Sequence, residues 1–244
     1  MSIQIYAINL DRSVDRWTAL SRQAEDFGLP IVRVSGVDGT QIPVDQRVDC
    51  NIAAFEFKNG RTMLPGEYGC YRSHLKALAA FLESGDEVAV IIEDDIVLPA
   101  DLLDRVKAAI AAVPGADVIK FFNHRVVAFR MVATSRMGDE IGRAAHGPLG
   151  SSACYAVTRR GAQLLLEGMK VMEFPLDMAL ERGWASGARI YVTRQNVAEP
   201  TREASTIASR TIYRANKFPW WKRLGTLATR TTELIRRGNY ALKG

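Results

Sequence analysis

The feature that most constrains this chain is the run Val88-Ala89-Val90-Ile91-Ile92, which passes directly into Glu93-Asp94-Asp95. Five consecutive apolar residues, four of them β-branched, read as a strand buried on both faces at the centre of a sheet, not as a half-exposed strand. Three carboxylates at its carboxyl end fall where ligands bind in open α/β sheets. They repel one another, so a cation is the natural compensation. Mg²⁺ or Mn²⁺ suits such a set of oxygen donors. A solvated acidic turn after a strand is the other reading of the same residues.

The chain opens with the same logic. Ile3 to Leu10 is an apolar strand. Val14, Trp17, Leu20, Ala24 and Phe27 then recur at helical steps, with Ser13 to cap and Gly28 to end the helix. Ile31 to Val34 is a second strand, closed by Gly36 and the Asp38-Gly39 turn signal. This βαβ opening predicts an α/β fold with a mostly parallel, mixed sheet flanked by helices. Further helices are expected over 67–82, 100–112 and 161–168, and one near Asp177. Strands are expected over 117–122, 153–158 and 189–193. Residues 40–66 and 123–150 read as irregular.

Length and charge narrow the function. The 244 residues are 48% hydrophobic and 24% charged, enough for one large α/β domain with a proper core. Residues 210–244 hold nine Lys/Arg against one acid, a net of +8, which leaves 23 basic and 26 acidic residues, a net of −3, in 1–209. The basic character therefore belongs to a tail, and the acidic body argues against nucleic acid as a partner. We divide the chain accordingly into a domain over 1–209 and a basic amphipathic helical tail over 210–244. From Trp220, apolar residues recur at Trp221, Leu224, Leu227, Ala228, Leu234 and Ile235, with cations mostly off that stripe. This is the composition of a segment lying on an anionic membrane surface, or else of a helix docked on the body. Cys50, Cys70 and Cys154 form no CxxC pair, and Met1-Ser2-Ile3-Gln4 lacks a basic leader, so a cytoplasmic protein is expected, peripheral on the cytoplasmic face of the inner membrane.

Other candidates stay two-sided at this level. Asn9, Arg12 and Arg16 follow the first strand, where nucleotide contacts are expected; a surface ion pair is the other role open to each Arg. His74 is either a donor contact or a packed histidine. Cys70, one helical turn before it, lacks the surroundings of an activated thiolate. Asp177, after Pro175, is a helix cap or a general base.

In order along the chain, several motifs resemble glycosyltransferase family 25, which includes lipooligosaccharide galactosyltransferases and collagen galactosyltransferases. Ile8-Asn9-Leu10-Asp11-Arg12-Ser13 with Arg16 is similar to its INLxxSxxR opening. Gly36-Val37-Asp38-Gly39 follows. Gly66 to His74 resembles G-x-x-G-C-x-x-S-H. Glu93-Asp94-Asp95 stands where the family has its EDD. Ser152 to Val157 with Gly161-Ala162, Pro175-Leu176-Asp177, and Pro200 with Ser205 and Ile207 complete the set. The resemblance implies a GT-A type fold and an inverting transfer, most commonly from UDP-galactose, onto a lipopolysaccharide or other cell-surface glycan, lipid-linked or oligosaccharide. It implies Mn²⁺ or Mg²⁺ on Asp95, nucleotide-sugar contacts from Asn9, Arg12, Arg16, Asp38, His74, Glu93 and Asp94, and Asp177 as base. A metal-dependent nucleotidyltransferase and a non-catalytic sugar-nucleotide-binding scaffold are the competing readings.

Overall fold

The computed structural model describes residues 1–201 and 210–243; Ser205 and Ile207 of the closing motif lie outside them. In chain order the strands and helices are β1 (Ile3–Asn9), α1 (Val14–Asp26), β2 (Ile31–Ser35), α2 (Ile52–Asn59), α3 (Pro65–Glu83), β3 (Val88–Glu93) and β4 (Ile96–Val97). They continue as α4 (Leu102–Ala112), β5 (Val118–Lys120), β6 (Val127–Thr134), β7 (Glu140–His146), β8 (Cys154–Thr158), α5 (Arg159–Gly168), α6 (Leu176–Leu180) and α7 (Gly183–Ser186). The last are β9 (Ile190–Thr193), β10 (Glu199–Pro200), α8 (Arg210–Ala215) and α9 (Leu224–Leu242). One sheet has the order β2-β1-β3-β8-β5-β9-β7-β6; β4 and β10 pair separately. β1 runs parallel to β2 and β3, and β5 parallel to β9, whereas β8 and β7 run against their neighbours. The sheet is therefore mixed, with six of its eight strands pointing one way.

β3 behaves as its composition demands. Val88, Val90 and Ile92 pack in one core with Leu20 and Ala24 of α1 and Val106 of α4. Ala89 and Ile91 face a second core with Leu75 and Leu78 of α3 and Leu165 of α5. Both faces are dry, which is why the run carries no polar alternation.

Two segments expected to be irregular are ordered. Within 40–66 stands α2, capped by the Asn51 side chain, which accepts from the Ala54 amide at 3.0 Å, and ended by Gly60 at φ 67°. Its eight residues bury only Phe55, so no apolar period announced it. Within 123–150 runs the hairpin β6–β7, which adds two strands to the sheet. β6 is an edge strand with Val127, Met131 and Val132 exposed, so the alternation that marks a half-buried strand is missing.

α9 lies against β7 and α2. It docks with its polar side: Thr226 and Arg237 are buried, and the Thr226 hydroxyl donates to the Phe57 carbonyl at 3.0 Å. Tyr240 donates its hydroxyl to the Ala188 carbonyl and accepts from the Ile190 amide, both at 2.7 Å. The Arg143 guanidinium sits between the rings of Tyr191 and Tyr240 at 4.6 and 4.3 Å. Leu224, Leu227, Leu234 and Ile235 face outward, following the exposed Trp220 and Trp221.

Candidate active site

The parallel pairing of β1 with β3 brings Ile8 opposite Glu93, so both strands deliver their carboxyl ends to one edge. There Asp94 is held by two of the sequence-predicted residues. The Asn9 side-chain amide donates to it at 2.7 Å and Arg16 at 3.1 Å. Asn9 is buried and in turn accepts from Arg33. Asn9 and Arg16 therefore stand behind Asp94 as its support, while Arg12 forms an ion pair with Asp38 at the rim. Both arginines form ion pairs, Arg12 at the surface and Arg16 in a largely buried position, and Arg12 also lines the neighbouring cavity.

Beside this cluster lies a cavity of about 270 Å³, lined among others by Arg12, Asp38, Cys70, His74, Glu93 and Asp94. One wall is the loop after β2. Asp38 shapes it by accepting from the amide and hydroxyl of Thr40 at 3.1 and 2.6 Å. The facing wall is the first half of α3. Loop and helix touch backbone to backbone through two glycines: a Cβ on Gly39 would stand 1.9 Å from the Pro65 carbonyl oxygen, and one on Gly69 2.5 Å from that of Val37. Ile212 of α8 also lines the cavity, so the segment after 210 contributes to the site.

His74 is buried and stacked on Tyr155, whose hydroxyl is 3.1 Å from Nδ1. Its Nε2 lies 3.4 Å from a Glu93 oxygen but makes no hydrogen bond. Glu93 accepts from the Ser152 hydroxyl at 2.8 Å. Burial pushes its carboxyl up, but His74 and Ser152 outweigh that and hold it below the ordinary range. The Asp95 carboxyl goes the other way, to about 7, through burial and the nearby Glu93, only partly countered by Arg16 at 4.0 Å. A carboxylate so crowded by like charge is the group a divalent cation would relieve.

Cys70, His74 and Glu93 bring possible ligand atoms within 4.8 Å of one another. Spacing alone did not suggest the thiol. Burial, Glu93 and Asp177 push the Cys70 thiol well up, which keeps it protonated and rules it out as a ready nucleophile. A hard cation is thus better matched by the oxygens of Glu93 and Asp95.

Asp177 is not the cap of α6; Pro175 holds that position, and Asp177 sits in the first turn accepting from the Met178 amide at 2.9 Å. Burial and Glu181 push its carboxyl up to about 6. Its neighbour Glu181 was not singled out in the sequence. It is buried and accepts from Lys120 and Arg237, each at 2.9 Å, and from the amides of Leu149 and Gly150 at 3.0 Å.

Residues 2–180 match the family model described as glycosyltransferase family 25 (LPS biosynthesis protein). A glycosyltransferase 25 family member of Anopheles gambiae is 28% identical over 130 residues, 50% of this chain and 22% of that protein. One from Aedes aegypti is 30% identical over 99 residues, 38% of this chain and 16% of that protein. The matched stretches thus span less than a quarter of these relatives. Among solved structures, glucosyl-3-phosphoglycerate synthase from Mycobacterium tuberculosis, in complex with Mn²⁺, UDP and glucosyl-3-phosphoglycerate, is similar at 13% identity and a TM-score of 0.39, covering 97% of this chain and 80% of that one. A glycosyltransferase involved in glycosylating the major capsid of PBCV-1 has 8% identity and a TM-score of 0.34, covering 68% and 66%.

Proposed function

This chain belongs to glycosyltransferase family 25, and from that premise we propose that it is an inverting, divalent-cation-dependent glycosyltransferase. Its donor is a nucleotide sugar, UDP-galactose first among them, and its acceptor a lipopolysaccharide or other cell-surface glycan. The observation that carries the reading is the crowding of Glu93, Asp94 and Asp95 at the joint carboxyl ends of β1 and β3, with Glu93 and Asp94 lining a cavity. Glu93 and Asp95 would hold Mn²⁺ or Mg²⁺, which supplies neutralisation of the negative charge on the departing diphosphate. Asn9 and Arg16 keep Asp94 in place. Arg12, Asp38 and His74 line the donor cavity. Asp177 removes the proton of the acceptor hydroxyl.

The test is product release from a panel of UDP-sugars with Mn²⁺, with Mg²⁺ and with chelator. UDP release that needs the cation is expected. Release of pyrophosphate instead marks a nucleotidyltransferase, and cation-independent release removes the metal from the mechanism.

Asp177 makes a prediction about pH. A base must be ionised, so the rate should rise through about pH 6, where its carboxyl loses the proton. The stability effect has the opposite sign. The folded value of about 6 exceeds the ordinary 3.8, so the folded state binds the extra proton, and Asp177's contribution to stability is lost as pH rises between the two. Asp177→Asn should keep donor affinity and lower turnover roughly a hundredfold. Collapsed donor affinity with turnover per bound donor intact would make Asp177 a structural residue.

No helix among the described residues is long and apolar enough to cross a membrane. A helix that docks by its polar side and presents Leu224, Leu227, Leu234 and Ile235 outward supports a peripheral attachment to an anionic membrane, on the cytoplasmic face where a lipid-linked acceptor is met. Full-length protein should pellet with anionic vesicles and release at high salt. Trp220→Ser with Trp221→Ser should stay in the supernatant with an unchanged melt, since both rings are exposed. Wild-type protein remaining in the supernatant would end this reading.

A further inference from the structure

We infer that a second cavity, walled in part by the segment that carries Asp177, is the acceptor subsite, and that it takes an acidic sugar, one carrying phosphate or carboxylate. The inference rests on the proposed transferase reading, which places the donor in the first cavity and the base at Asp177.

The second cavity has a volume of about 450 Å³ and lies between α2, α6, α9 and the chain after β7. Pro175 and Met178, on either side of Asp177 in sequence, line its wall. Asp177 is within electrostatic reach of Cys70, which lines the donor cavity, and of Glu67, whose carboxylate is held by Arg61 of the second cavity. The segment that carries Asp177 thus forms part of the wall of this cavity.

The charge of the lining points to the ligand. Lys58, Arg61 and Arg237 are each matched by a carboxylate: Glu173, Glu67 and Glu181. Glu233, the acid among the lining residues, is already engaged by Arg182 through two hydrogen bonds of 2.7 and 3.2 Å. Arg125 and Arg230 are different. Both are exposed, and among the described residues neither meets a carboxylate; Arg125 donates its Nε to the Pro148 carbonyl at 2.9 Å. Two guanidinium forks with most of their N–H groups open to solvent suit the paired oxygens of a phosphate or carboxylate. His146 adds a ring N–H donor to the same wall. Among the described residues the lining includes no Phe, Tyr or Trp ring on which a neutral sugar would stack.

The test is calorimetric titration, in a buffer free of phosphate, with glucose 6-phosphate, glucuronic acid, glucose and a short-chain phosphatidylglycerol below its micellar concentration. The two sugar anions should bind with UDP already present, and glucose should bind at least tenfold more weakly. Arg125→Ser with Arg230→Ser should weaken the sugar anions tenfold or more while the affinity for UDP and the melt stay as in the parent. Anions displaced by UDP, equal binding by the double variant, or binding of the phospholipid without the sugar anions would each overturn the inference. If Arg-dependent anion binding is found but no UDP-sugar is turned over, the anion site stands and the transferase reading is what fails.

Discussion

Asp95→Ala is expected to lower cation-dependent UDP release by about a thousandfold, equivalent to roughly 4 kcal/mol of transition-state stabilisation, without lowering the melting temperature. A carboxyl raised from 3.8 to about 7 by burial and by Glu93 is ionised in the folded state at pH 8 only at a cost in stability. Alanine removes that cost, so at pH 8 the variant should melt at or above the parent's temperature, and the gap should close as pH falls toward 4. Mn²⁺ should raise the melting temperature of the parent and leave the variant where it is. Activity within tenfold of the parent, or a melt that falls along with activity, would remove Asp95 from the cation site.

Glu181→Ala should be the most destabilising of the changes considered, costing about 3–5 kcal/mol by urea unfolding. Glu181 is 3% exposed and Lys120 is fully buried, so deleting the acid strands a buried ammonium, a mostly buried guanidinium and two amides. The buried pair is weak evidence of stabilisation in itself; the cost arises from leaving its partners behind. Lys120→Met in the same chain should therefore recover part of the loss, a coupling that a double-mutant cycle measures. A second signature comes from Asp177, whose carboxyl Glu181 pushes up. Glu181→Gln should move the rising limb of the pH–rate profile to lower pH. A loss under about 1 kcal/mol with an unmoved profile would show that neighbouring groups or water take over the role.

How much of this could be read beforehand depended on whether the determining contacts are local. The buried strand β3 is legible because its apolar run is unbroken and ends abruptly in three acids, both properties of neighbouring residues. α2 and the β6–β7 hairpin are not, since α2 buries one side chain and β6 is an exposed edge. Within the site, the type and place of Glu93, Asp94 and Asp95 followed from the strand before them. The division of labour did not. Asn9 and Arg16 lie about 80 residues from the Asp94 they support, and only the β1–β3 pairing brings them together. Glu181 reads in sequence as an ordinary acid after a short helix, because Lys120 and Arg237, which give it meaning, are 61 and 56 positions away. The charge pattern of the tail was visible, but not which face of α9 would turn inward.

The glycine contact between the loop after β2 and α3 sets where this site can diversify. Gly39 and Gly69 leave no room for even one methyl group, so that seam is closed to substitution without parting the helix from the loop. The remaining rim is not. Thr40, Leu64 and Ile212 line the same cavity with side chains outside the seam, and Ile212 comes from the C-terminal segment. Lineages of this chain that come to accept different donors would record the change in those positions, while the two glycines stay as the fixed hinge line around which the variable rim is drawn.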